Sequence, residues 1–140
     1  MSTSLQYAIP GSFAQTFTAG TGLSVGQIVK MSATAGTVTL CSADTDQSIG
    51  VVQSDAAASG ELVSIVVFGP AYVLCGGNVP AATPFFTSDS AGAAVAWTAT
   101  GSKRIAGRLI GYGGEPGGGS LATAAGNLRT GLVLGGLIVD

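Results

Sequence analysis

The sequence predicts an all-β protein folded as one compact barrel or sandwich, and three observations carry that expectation. Apolar residues come in short runs of strand length, glycine or proline separates most of these runs, and no run has the period of a long helix. Charged residues make up 9% of the 140-residue chain and hydrophobic residues 46%, with 23 glycines. That balance is the reverse of a disordered chain. A chain of this length buries roughly two-thirds of its unfolded surface, enough for a core without metal or disulfide staples.

Residues 1–24 differ from the rest. They carry no charge, hold Pro10, Gly11, Gly20 and Gly22, and space out Tyr7, Phe13 and Phe17. The composition suits an extended N-terminal arm whose aromatics dock on a neighbour. The other reading makes residues 13–17 the first strand of the domain. Residues 25–140 then form the β-rich domain proper.

Within that domain the strands follow in order. Residues 27–31 form a first run. Residues 37–41 alternate, with Val38 and Leu40 on one face and Thr37 and Thr39 on the other. Residues 48–53 follow. Residues 61–68 are apolar on both faces and rich in valine and isoleucine, the pattern of a central strand. Gly69-Pro70 marks a bend before residues 70–75. Residues 83–88, 94–98, 105–112 and 131–139 complete the set. One or two short helices are expected, at residues 54–60 (SDAAASG) and 120–128 (SLATAAGNL). The first opens on a capping residue and stops at Gly60. The run GYGGEPGGG at 111–119 reads as a loop or hairpin tip. Trp97 alternates with Val95 and reads as a core position.

The residue inventory offers little chemistry. The chain has no histidine, which removes serine and cysteine triads and the commonest metal ligand. Cys41 and Cys75 lack the close spacing of a zinc site and have no charged neighbour to favour a thiolate. They read as buried thiols. The stretch from Asp44 to Asp55 opens like a calcium loop, but Ile49 stands where that loop needs glycine. The glycine run lacks the Gly-Lys-Ser/Thr ending of a phosphate loop. No catalytic residue, metal or cofactor is therefore expected. The five basic residues, Lys30, Lys103, Arg104, Arg108 and Arg129, leave a net charge of −2, too little positive charge for direct nucleic-acid binding. No apolar run reaches the about 20 residues of a membrane span. The start of the chain lacks the basic and apolar regions of a signal peptide.

One resemblance adds to this reading. Gly26 to Val29 (GQIV) is an opening strand, Ile49 to Val52 an "IGVV" strand, and a small-residue segment then ends in Gly60. A V-x-V strand, the stretch Gly69-Pro70-Ala71-Tyr72-Val73, and a turn from Asp89 to Gly92 follow. Over residues 22–92 this arrangement resembles the small bacteriophage capsid decoration, or cement, proteins. The resemblance implies a β-tulip-like domain with an N-terminal arm. It implies a structural virion protein, not an enzyme, made in the host bacterial cytoplasm and bound to the outer surface of a mature capsid. There it would cement adjacent copies of the major capsid protein, as a homotrimer at or near three-fold axes. Tyr7, Ile9, Pro10, Phe13 and Phe17 become the candidate capsid- or partner-contacting residues. Two alternatives stand beside it: another virion module, such as a fibre base or tail component, and a carbohydrate-binding β-barrel.

Overall fold

The computed structural model describes residues 11–54, 57–80, 84–98, 104–110 and 128–138, the last four by backbone alone. Nine strands follow in chain order: β1 (Phe13–Ala19), β2 (Ile28–Met31), β3 (Thr37–Leu40), β4 (Ser48–Val52), β5 (Leu62–Leu74), β6 (Phe85–Ser88), β7 (Ala94–Ala96), β8 (Arg104–Leu109) and β9 (Leu128–Ile138). They hydrogen-bond in the order β1-β3-β2-β4-β5-β9-β8-β6-β7, and β1 also pairs with β5. That extra pairing closes the first five strands into a barrel. The all-β barrel expected from the sequence is thus present, with four further strands appended.

The barrel is antiparallel except where β1 runs parallel to β3 (Thr18 opposite Thr37). Its strands alternate cleanly, because successive side chains of a strand face opposite ways. Val29, Val38, Val52, Val63 and Ile65 fill one core with Ala19 and Leu23. Their chain neighbours Ile28, Val51 and Val66 point the other way. These outward residues meet Ala71, Val73, Phe86, Leu109 and Val133 of the appended strands in a second core. One wall of the barrel therefore serves two cores.

β5 joins the two halves. Leu62–Phe68 lies in the barrel against β1, and the residues from Gly69 to Leu74 pair with β9. Gly69-Pro70, where the sequence predicts a bend, lies inside one continuous strand. Gly69 has φ +103°, and a Cβ there would stand 2.9 Å from the Gly11 carbonyl oxygen and 3.0 Å from Ser12 Cα. Only glycine satisfies both conditions. Pro70, opposite Leu132, continues the strand without an N–H of its own. At the far end, Cys75 bridges Ala94, which ties β7 back to the end of β5.

Two expectations need correction. The described part of 54–60, Ser54 and residues 57–60, is not helical. Ala57 and Leu23 exchange backbone hydrogen bonds of 2.9 Å in both directions, Ser54 Oγ accepts from the Ser64 N–H, and Gly60 turns the chain at φ +90°. Backbone groups that a helix would have paired locally are used across the barrel instead. Among the described residues there is no helix at all. Of the second helical candidate, Leu128 opens β9, while 120–127, like the glycine run 111–119, lies outside the described residues. Trp97 is half-buried rather than a core residue. It follows the edge strand β7 on the face opposite Phe86, and its ring meets Phe85 edge-on at 6.5 Å. Of the two readings of residues 13–17, arm or first strand, the structure has the strand: they lie in β1, and Leu23 bridges Ala57 beyond it.

Candidate docking surfaces

Three of the described carboxylates, Asp46, Glu61 and Asp89, hold turns together. Asp46 Oδ2 accepts from Lys30 Nζ at 2.8 Å and from the backbone N–H groups of Ser42 (2.8 Å) and Ala43 (3.2 Å). Burial pushes its pKa up. The Lys30 bond and charge and the two backbone bonds pull harder, so the carboxyl is held below its ordinary 3.8. Asp89 Oδ1 accepts from Ala91 and Ala93, at 2.7 and 3.0 Å, closing the turn before β7. Glu61 Oε1 accepts from the Ala58 N–H at 2.7 Å. The supposed calcium loop is this Asp46 turn, with Lys30 supplying the cation.

The two cysteines are free and fully buried. Burial drives the Cys41 thiol up to about 12, helped by the Asp46 charge and opposed by Lys30. Cys41 is therefore a small core hydrophobe, as the sequence suggested. An open cleft of about 400 Å³ is lined by Lys30, Met31, Gln47 and Ile49, and its one charged group is already paired with Asp46. Among the described residues no three His, Cys, Asp or Glu side chains gather as metal ligands, and no helix is long and apolar enough to cross a membrane.

The remaining distinctive feature is exposed apolar surface. Of the predicted contact residues, Tyr7, Ile9 and Pro10 lie outside the described residues. Phe13 opens β1 and is 57% exposed. Its register partner on β5 is Phe68, 58% exposed, at a bulge between Phe13 and Ala14. Opposed residues of an antiparallel pair are neighbours, so two exposed aromatic residues are register partners where β1 begins. Phe17 sits differently: it lies opposite Val63, is half-buried, and packs on the barrel core. The structure thus separates two rings that sequence reasoning grouped together. It also adds Phe68, which looked like part of a fully buried central strand. β5 is buried on both faces only at Ile65 and Val66, and it surfaces at Leu62 and Phe68. The apolar run by itself carries no mark of where burial ends.

No family model matches the chain. No curated protein matches it by sequence. Its fold is similar to the crystal structure of the head fiber gp8.5 N base of bacteriophage phi29. The TM-score is 0.60 at 15% identity, over 91% of this chain and 98% of that one. The match spans nearly the whole of both molecules, so it concerns the barrel and its appended sheet together.

Proposed function

We propose that this protein is a structural component of a bacteriophage head, carried on the outer surface of the capsid. The observation that carries the reading is the end-to-end fold correspondence with the phi29 head fibre base. The residue inventory is consistent with it. Asp46, Glu61 and Asp89 staple turns, the thiols are buried, and apolar aromatic surface is left over for contacts.

Two forms of this function share the same surface chemistry. In the cementing form, the protein bridges adjacent major capsid proteins at many sites, as a homotrimer at or near three-fold axes, and stiffens the shell. Its Phe13–Phe68 pair supplies an apolar contact, extended by Tyr7, Ile9 and Pro10 of the preceding segment. Many weak, repeated sites then give avidity without one strong contact. In the fibre-base form, supported by the fold similarity to a head fiber base, it seats a longer appendage at fewer positions.

Co-sedimentation of the purified protein with undecorated, expanded capsids tests both forms. Saturable binding at many copies per shell with a raised capsid melting temperature supports cementing. Saturable binding at few copies without that rise supports a fibre base. Absence of binding to the matching capsid overturns the proposal and makes a glycan screen the next experiment.

A further inference from the structure

The appended sheet has one face against the barrel and one turned away. Register identifies what lies on the outer face. Pro70 is opposite Leu132, Leu132 opposite Arg108, and Arg108 opposite Phe85. Trp97 donates its backbone N–H to the Phe85 carbonyl and sets its ring edge-on to the Phe85 ring, at 76°. Four residues from neighbouring strands, with Trp97 just past β7, thus form one row across the sheet. Their chain neighbours Phe86, Ala71 and Val133 belong to the core on the other side. In the row, Phe85 and Arg108 are exposed, while Pro70, Leu132 and Trp97 are half-buried.

Arg108 is the only charge in this row, and its register neighbours are Phe85 and Leu132. Among the described residues no carboxylate pairs with it; the salt bridge of that set is Lys30–Asp46. A guanidinium flanked by aromatic and aliphatic side chains is the composition of a protein–protein hot spot, where arginine and aromatics are enriched and other charges depleted. The charge specifies its complement. A planar bidentate donor in apolar surroundings calls for a carboxylate, itself ringed by apolar side chains.

A glycan fits less well. The Phe85 and Trp97 rings stand nearly perpendicular, so they offer no common stacking plane. Pro70 and Leu132 have no side-chain polar atoms with which to hold hydroxyls. Nucleic acid would need many more cations than this single arginine.

The geometry points to this row as a second docking surface, separate from the Phe13–Phe68 pair, that receives a carboxylate-bearing apolar patch on a protein of the phage shell. The inference rests on the proposed virion role and names the surface and the partner chemistry. Its place on the sheet also gives the protein two contact faces, one at the mouth of the barrel and one on the appended sheet, as bridging two neighbours requires.

The test uses the full chain and the capsid co-sedimentation assay, with Arg108→Glu, Arg108→Lys and Phe85→Ala beside the natural protein. Arg108 is exposed, so Arg108→Glu should melt at the natural temperature yet bind capsids more weakly, by a factor of about 30. Arg108→Lys should recover part of the loss, because it keeps the charge and loses the fork. Raising salt should weaken binding of the natural protein and of Phe85→Ala alike, since the arginine remains in that variant, and should weaken Arg108→Glu less. Natural protein that binds, with Arg108→Glu binding equally well, overturns the docking surface and leaves the virion role standing. Natural protein that fails to bind any matching capsid overturns both. Loss of glycan binding rather than capsid binding in Arg108→Glu would replace the shell protein with a carbohydrate.

Discussion

Replacing Phe86 with alanine probes the joint between the two halves of the molecule. Among the described residues Phe86 is the largest fully buried side chain, and it belongs to the core shared by the barrel wall and the appended sheet. Two glycines make room for its ring. A Cβ at Gly107 would come within 2.6 Å of Phe86 Cζ, and one at Gly131 within 3.3 Å of Cε1. Phe86→Ala therefore leaves a cavity bounded by β8 and β9, whose backbones already lie close and cannot collapse far. Loss of a buried phenylalanine of this kind costs about 4 kcal/mol, which for a chain of this size lowers Tm by on the order of 10 °C. Urea unfolding should be followed by two probes. Far-UV circular dichroism reports all strands, and the fluorescence of Trp97, the only tryptophan, reports the appended sheet. Because β5 runs through both halves, both probes should shift together in one transition. A loss under about 1 kcal/mol would refute the close packing. An early fluorescence transition followed by a separate barrel transition would refute the coupling of the two cores through β5.

Phe13→Ala and Phe17→Ala should separate where sequence grouped them. The first should leave the melting temperature within about 2 °C of natural, as surface changes do, while reducing capsid occupancy. The second should cost about 2 kcal/mol by removing a ring from the barrel core, and equal melting temperatures for the two variants would contradict the placement of β1. The Asp46 carboxyl is held below its ordinary 3.8 by Lys30 and the turn N–H groups. Its contribution is therefore complete above that value and lost as pH falls through the lower folded value. Asp46→Asn should be less stable at pH 7, by about 1 kcal/mol, and should lose less stability than the natural protein between about pH 5 and pH 2; parallel acid curves would count against the pairing. Cys41 and Cys75 should resist thiol reagents in the native protein and titrate as two free thiols in denaturant without reductant. Rapid native labelling would contradict their burial, and zero thiols would reveal a disulfide.

Much of the fold is legible in the residues themselves. Period-two alternation at residues 37–40, the glycine and proline punctuation, and the scarcity of charge all point to a β-barrel. These are local signals, written into each strand by which of its faces meets water. The absence of histidine and the mismatched loop motifs likewise remove familiar chemistries without reference to shape. What the sequence could not show is which strands share a wall. Ile28 and Val29 are equally apolar, yet one enters the core beneath the appended sheet and the other the barrel interior. The segment 54–60 has a cap, alanines and a terminal glycine, yet Ala57 bonds Leu23 through its backbone and the Ser54 hydroxyl accepts from the Ser64 N–H, because a short helix is marginal without tertiary support. Phe13 and Phe17 are identical in type and sit four residues apart, and a bulge with the closure of β1 on β5 turns one outward and the other in. Short strands around an apolar core follow from side-chain pattern and turn residues alone. That a single long strand joins two cores, and that Phe13, Phe68, Phe85 and Arg108 face solvent, follows from the packing of the folded chain. Exposure depends on what packs opposite, and those neighbours come from distant parts of the chain.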